Sequence, residues 1–351
     1  MKTDTIQKTP EDFRQELQDS YKIITGNIFA SDRQGYWSNL DKHESRHLAD
    51  VSGEMGPRNA VRKHYPHLFN VIFSPKRQGG LELLNLSGKE SCIDYGCMWG
   101  AMTIPLAKRC SYVLGVDQTL DSLKFLDARV KEEKLDNVDL LCGNLKELEN
   151  FRNKFDVAMV NGVLEWIPED GDIELKNYYG QYRPKRYAGN PGKQQLSFLK
   201  TVHQNLSAGG RLYLAIENRF DFKVFFGARE PHSNLFFVSF LPREMADWIS
   251  MTKLGRPYTN WLYSFQGLKR LLRESGFSRI ESYMCFPDYR YPERIIPYDG
   301  SLKNFTPTIS LKNDKGRKSY KRFLARIGES LFFRTLRLKF FAPSIIAIGH
   351  K

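Results

Sequence analysis

From residue 91 onward the chain repeats one pattern that leaves few folds open: a short apolar strand, a turn, a helix, then another strand. Ser91-Cys92-Ile93-Asp94 reads as a strand and runs into the turn Tyr95-Gly96-Cys97-Met98-Trp99-Gly100. Residues 101–108 read as a helix and 112–117 as a second strand that ends in an acid, Asp117. Residues 119–134 have Leu120, Leu123, Leu126 and Val130 on one side of a helix. Further strands are expected at 138–142, 155–160, 211–217, 279–285 and 343–349. Helices are expected at 196–206, stopped by Ala208-Gly209-Gly210, and at 266–275. Strands alternating with helices predict a mostly parallel sheet covered on both faces. Right-handed crossovers make it a doubly wound α/β sheet of seven strands.

The rest of the chain is arranged around that core. Residues 1–75 read as a helical N-terminal extension or cap, in which residues 11–22 place Phe13, Leu17 and Tyr21 on one helix face. The core spans 76–290 and is interrupted at 176–193 by a basic, aromatic insertion. Residues 291–341 form a basic insertion, and 342–351 return as the final core strand. The net charge is +13, and +10 of it lies in residues 301–351, where twelve Lys and Arg face only Asp314 and Glu329. The positive charge therefore belongs to the tail and not to the whole fold. The five cysteines include no CxxC pair, so buried or site-lining thiols are expected, and neither a disulfide framework nor zinc. No apolar run approaches the roughly 18–20 residues of a membrane span, and residues 1–16 lack a signal-peptide core. The expected location is the cytoplasm.

Ligands on open α/β sheets bind beyond the carboxyl ends of the strands. The first such end is Asp94-Tyr95-Gly96-Cys97-Met98-Trp99-Gly100, whose glycines allow a tight turn and close approach of backbone to ligand. Asp117, followed by Gln118, closes the next strand, where a carboxylate can accept hydrogen bonds from ribose hydroxyls. A dinucleotide would rest its pyrophosphate on bare glycine backbone. Met98 and Trp99 would crowd that group, and Asp94 would repel it. An acid at 94 suits a cationic ligand instead.

These segments resemble the motifs of class I S-adenosylmethionine-dependent methyltransferases. IDYGCMWG at 93–100 is similar to the glycine motif, GVD at 115–117 to the ribose motif, and CGNL at 142–145 to the adenine-contacting segment. FDVAMVNGVLEWI at 155–167 and SAGGRLYLAIENR at 207–219 resemble the later motifs. The resemblance implies a Rossmann-like fold with S-adenosyl-L-methionine as cofactor. It places Gly96, Cys97 and Gly100 at the methionine end, Asp117 at the ribose, Asn144 and Leu145 at the adenine, and Asn161 near the methyl group. Met98 departs from the pattern at the second motif glycine, and Asn144 stands where an acid is common. NGVLEWIPE, the stretch from Ala215 to His232 and the aromatic run to Tyr263 are similar to methyltransferases of bacterial polysaccharide biosynthesis. That implies a sugar, glycan-linked or other small-molecule acceptor and favours O-methylation.

A hydroxyl acceptor must be aligned in line with the methyl carbon and lose a proton. Glu165, Glu217 and His232 stand near strand ends and are the candidate bases. Trp166 offers a flat face to a substrate, as do Tyr178, Tyr179, Tyr182 and Tyr187 in the first insertion. Arg219 can grip an anionic substrate group or pair with Glu217. No His, Asp and Glu spacing suggests a metal. The basic tail has three readings: a helix with Tyr320, Phe323, Leu324, Ile327 and Leu331 packed on the fold, a peripheral membrane contact, or a nucleic-acid contact. The alternative functions are an RNA methyltransferase and an inactive methyltransferase fold that serves as a binding partner.

Overall fold

The computed structural model describes residues 9–32, 34–145, 151–169, 173–174, 189–311 and 320–351. The strands are β1 (Lys22–Thr25), β2 (Ile28–Ala30), β3 (Trp37–Ser38), β4 (Ser91–Tyr95), β5 (Tyr112–Asp117), β6 (Val138–Cys142), β7 (Phe155–Asn161), β8 (Ile173–Glu174), β9 (Leu206–Glu217), β10 (Arg279–Phe286), β11 (Arg294–Pro297) and β12 (Ser344–His350). Ten of them form one sheet in the order β1-β2-β6-β5-β4-β7-β9-β12-β10-β11. The run from β6 to β9 is parallel, and β12 lies antiparallel between β9 and β10. The expected mostly parallel, doubly wound sheet is therefore present. Its seven expected strands are consecutive in it, from β6 to β10.

The central strands carry apolar residues at successive positions because both sheet faces are covered. Ile93, Leu114, Ala158 and Leu214 point to one core, whereas Cys92, Val113, Val157 and Ala215 point to the other. Helix Pro10–Ser20 starts at a capping box in which Thr9 and Asp12 satisfy each other's backbone N–H. It lays Phe13 flat on Tyr112, with ring centroids 4.4 Å apart.

The sheet is wider than expected by three edge strands. The N-terminal segment contains more than helices: its hairpin β1–β2 extends the sheet beside β6, and β11 extends the opposite edge. The helices Lys42–Met55 and Pro57–His64 fold over the turn that follows β4. They bury Trp99 with Leu48, Val61 and Phe125. Helix Pro191–Asn205 ends earlier than expected, and β9 already begins at Leu206, opposite Phe155. Of the first insertion, 176–188 lie outside the described residues. The tail helix Tyr320–Glu329 does not pack as the first reading had it: Tyr320, Phe323, Ile327 and Leu331 are exposed.

Candidate active site

A cavity of about 410 Å³ opens beyond the carboxyl ends of β4, β7 and β9. A smaller one of about 80 Å³ adjoins it, and Trp37, Gly96, Gly162 and Trp166 wall both. This is where an open α/β sheet holds its ligands.

The turn after β4 shapes the floor. Gly96 and Gly100 have φ of 67° and 74°, and Met98 between them has φ 46°. Met98, where the motif's second glycine would stand, thus adopts the left-handed backbone that glycine favours. It is held there by its N–H, which donates to Asp117 Oδ2 at 2.9 Å. A Cβ on Gly96 would sit 2.6 Å from Val163, so only glycine fits. Gly100 walls neither cavity. It backs the turn onto Leu126 of the helix Leu120–Glu132 that follows β5, 2.1 Å from where its Cβ would be.

Asp94, Cys97 and Asn161 face the larger cavity, and Asp117, Gln118, Asn144 and Leu145 face the smaller. Asp94 accepts a 2.6 Å hydrogen bond from Thr103 Oγ1. Burial pushes its carboxyl up to about 7; the Thr103 hydroxyl pulls it back and the nearby Asp117 adds to the rise. Burial likewise takes Asp117 to about 6, against the pull of the Thr119 and Met98 N–H groups. Two buried carboxyls short of positive charge suit a ligand that carries its own cation and ribose, as S-adenosylmethionine does.

At the other end of the larger cavity three groups from distant segments converge. Glu165 stands in the short turn Leu164–Trp166 after β7, Glu217 ends β9, and His232 lies in the loop that follows. All three are buried. His232 Nε2 is 3.8 Å from Glu165 Oε1 and 3.9 Å from Glu217 Oε2. His232 Nδ1 is 2.6 Å from Glu230 Oε1, and Glu230 also accepts from the Ser233 hydroxyl. Burial opposes the charged imidazole, but Glu230, Glu217 and Glu165 outweigh it and push its pKa up to about 9. Burial and the neighbouring Glu217 push Glu165 up to about 8.

Not every expected residue arrives. Arg219 walls neither cavity and does not pair with Glu217; its guanidinium donates to the carbonyls of Ser239, Phe240 and Leu241. Tyr178, Tyr179, Tyr182 and Tyr187 lie outside the described residues. Several wall residues had not been anticipated: Trp37, Arg77, Tyr289, Arg290 and Tyr291. The last three follow β10, whose carboxyl end lies on the same rim, so the strand-end rule pointed to them. Trp37 gave no such signal, because contacts with residues distant in sequence bring it to the site: paired hydrogen bonds with Thr119 and an edge-on ring contact with Trp166.

Residues 92–184 match the family model of a methyltransferase domain. A ubiquinone biosynthesis O-methyltransferase of Coxiella burnetii is 26% identical over 60% of this chain and 80% of its own length. A 23S rRNA (uracil(1939)-C(5))-methyltransferase RlmD of Legionella pneumophila is 24% identical over 30% of this chain. The chain spans only 24% of that relative's length. Among solved structures, phosphoethanolamine N-methyltransferase 2 of Haemonchus contortus, in complex with S-adenosyl-L-methionine, has a TM-score of 0.47 at 14% identity. It covers 87% of this chain and 60% of its own. A putative methyltransferase from Bacillus halodurans gives 0.42 at 14% identity, covering 78% and 98%.

Residues 92–184 thus carry a methyltransferase domain, on a mostly parallel sheet of the class I methyltransferase, Rossmann-like fold. Its cofactor is S-adenosyl-L-methionine.

Proposed function

We propose that the protein transfers a methyl group from S-adenosylmethionine to a hydroxyl oxygen of a sugar or glycan-linked acceptor. One observation carries this reading. The groups suited to the cofactor, Asp94, Gly96 and Cys97, share a single cavity with Glu165, Glu217 and His232. Bound cofactor supplies a methyl carbon made electrophilic by its sulfonium. Asp94 would hold the cationic end, Asp117 the ribose, and Asn144 with Leu145 the adenine. Glu165 and His232 would orient the acceptor hydroxyl, and Glu217 beside them would take up its proton. The rings of Trp37, Trp166 and Tyr291 offer faces for a sugar ring. The O-methyltransferase among the similar proteins agrees with an oxygen acceptor.

The acceptor end adjoins an apolar, basic surface. The loop after β9 that carries His232 also carries Phe225 and Phe237, which are exposed and in ring contact. Phe225 in turn meets Phe332 and Phe341. Leu331, Leu336 and Leu338 stand exposed there beside exposed Arg334 and Arg337. Apolar rings flanked by cations fit the interface of an anionic lipid bilayer, which supports a lipid-linked glycan as acceptor. Among the described residues no helix is long and apolar enough to cross a membrane. The five cysteines are buried and free, which agrees with a reducing compartment such as the cytoplasm.

The test is a methyl-labelling assay with purified protein and cell extract fractionated into RNA, lipid-linked glycan and small molecules. Label is expected in the glycan or small-molecule fraction and should fall at least about tenfold with Glu217→Gln. Label confined to RNA would replace this reading by the nucleic-acid one, and no labelling alongside intact cofactor binding would favour a binding partner. Flotation with phosphatidylglycerol vesicles, reduced by Arg334→Glu with Arg337→Glu, tests the surface.

A further inference from the structure

We propose that Glu165, Glu217 and His232 form a binding site for one divalent cation of the Mn²⁺–Zn²⁺ class, at the acceptor end of the cavity. The site goes beyond methyl transfer as such and departs from the sequence-based expectation of no metal.

The spacing of the three groups is the first argument. Each offers one donor atom, and the three donors lie within 4.8 Å of one another. The separations of 3.8 and 3.9 Å from His232 Nε2 are too long for hydrogen bonds. They match donors around a shared ion: two atoms each about 2.1 Å from a metal stand about 3.0 Å apart at a right angle and about 4.2 Å apart when opposite.

The second argument is independent of spacing. Glu165 Oε2 and Glu217 Oε2 are buried and have no hydrogen-bond partner among the described residues. A buried carboxylate oxygen left bare costs on the order of 1–3 kcal/mol or more, so natural structures rarely tolerate two in one place. His232 Nε2 likewise makes no hydrogen bond among the described residues, its neighbours Glu165 and Glu217 standing 3.8 and 3.9 Å away, while its Nδ1 is fixed on Glu230 at 2.6 Å. A carboxylate behind one ring nitrogen, with the other turned to a polar cavity, is the usual support of a metal-bound histidine. Glu230 is itself anchored by the Ser233 hydroxyl and the N–H groups of His232 and Ser233, which fixes the ring's direction.

The donor set selects the ion. One imidazole and two carboxylates favour borderline cations over Mg²⁺ or Ca²⁺, which prefer oxygen alone. A dication balances the two ligating carboxylates. Three protein ligands leave coordination positions open to the cavity, where an acceptor hydroxyl would bind and become more acidic. Only that last role rests on the methyltransferase function proposed above; the binding itself does not.

The experiment uses full-length protein dialysed against a chelator and titrated with Mn²⁺, Co²⁺ and Zn²⁺ in the absence of S-adenosylmethionine. One ion per chain is expected by calorimetry. Co²⁺ should give visible absorption bands and should quench tryptophan fluorescence, since the Trp166 and His232 rings are 5.1 Å apart. Glu165→Gln and His232→Gln should each weaken binding at least about tenfold, and Glu230→Gln by about tenfold or more through loss of ring orientation. Circular dichroism confirms that each variant is folded. Wild-type protein that binds none of the three ions, or binding unchanged in both Glu165→Gln and His232→Gln, overturns the site. Cofactor binding measured in the same preparations is unaffected by that outcome, so failure of the metal site and failure of the proposed function remain distinguishable.

Discussion

Asp94 is where single-residue chemistry has the clearest consequence. Its carboxyl is raised to about 7, and a cation bound beside it favours the ionised form. Cofactor binding should therefore release a proton below pH 7. Affinity is expected to rise by up to about tenfold per pH unit toward 7 and then level off. Calorimetry from pH 5.5 to 8.5 measures this, and a flat profile would exclude Asp94 as the cation's partner. Asp94→Asn should weaken binding and flatten the profile. Gly100 has a structural consequence instead. Its φ of 74° and the nearness of Leu126 mean that Gly100→Ala should cost on the order of 2–4 kcal/mol in urea unfolding. Asp94, Asp117, Glu165 and Glu217 were legible because each sits at or just beyond a strand end. The pairing of His232 with Glu230 was not, since proximity in sequence does not say which neighbour faces a ring. Arg219 was misread for a related reason: a cation near a site is as readily taken by backbone carbonyls as by a ligand.

Those carbonyls give Arg219 its importance for the loop after β9. It ties Ser239, Phe240 and Leu241 back to the end of that strand and so holds the segment that presents His232. Arg219→Ala leaves three partly buried carbonyls without their donor and should cost on the order of 1–3 kcal/mol. It should also raise proteolytic cleavage between 229 and 242 and lower turnover, with cofactor affinity unchanged. Unchanged turnover would mean that the loop holds its shape without the arginine. The hairpin β1–β2 shows the limit of reading elements from pattern. Its strands are four and three residues long, too short to display a period of two. Only the neighbouring β6, with its free edge, makes them strands. Phe29 is fully buried there, and Phe29→Ala should destabilise the protein by about 3–5 kcal/mol, read as a lower unfolding midpoint.

For the molecule as a whole, the sheet was legible because seven segments alternate with helices and end in turn formers, and connection rules leave few ways to wind them. What was not legible is the cover: which face of the N-terminal helices meets Trp99, and which aromatic side chains the tail leaves in solvent. Both depend on contacts between segments far apart in sequence, and composition records only that apolar and basic residues are present. The position of β12 has a further consequence. It lies between β9 and β10 and pairs with both, so residues 344–350 are the wedge that joins β10 and β11 to the rest of the sheet. Until they emerge from the ribosome, β9 and β10 each carry an open edge that can pair with a stray strand. Nascent chains arrested short of residue 344 should therefore depend on chaperones and be digested quickly. Those arrested with residue 351 clear of the exit tunnel should resist protease, a difference that pulse digestion of stalled chains would reveal.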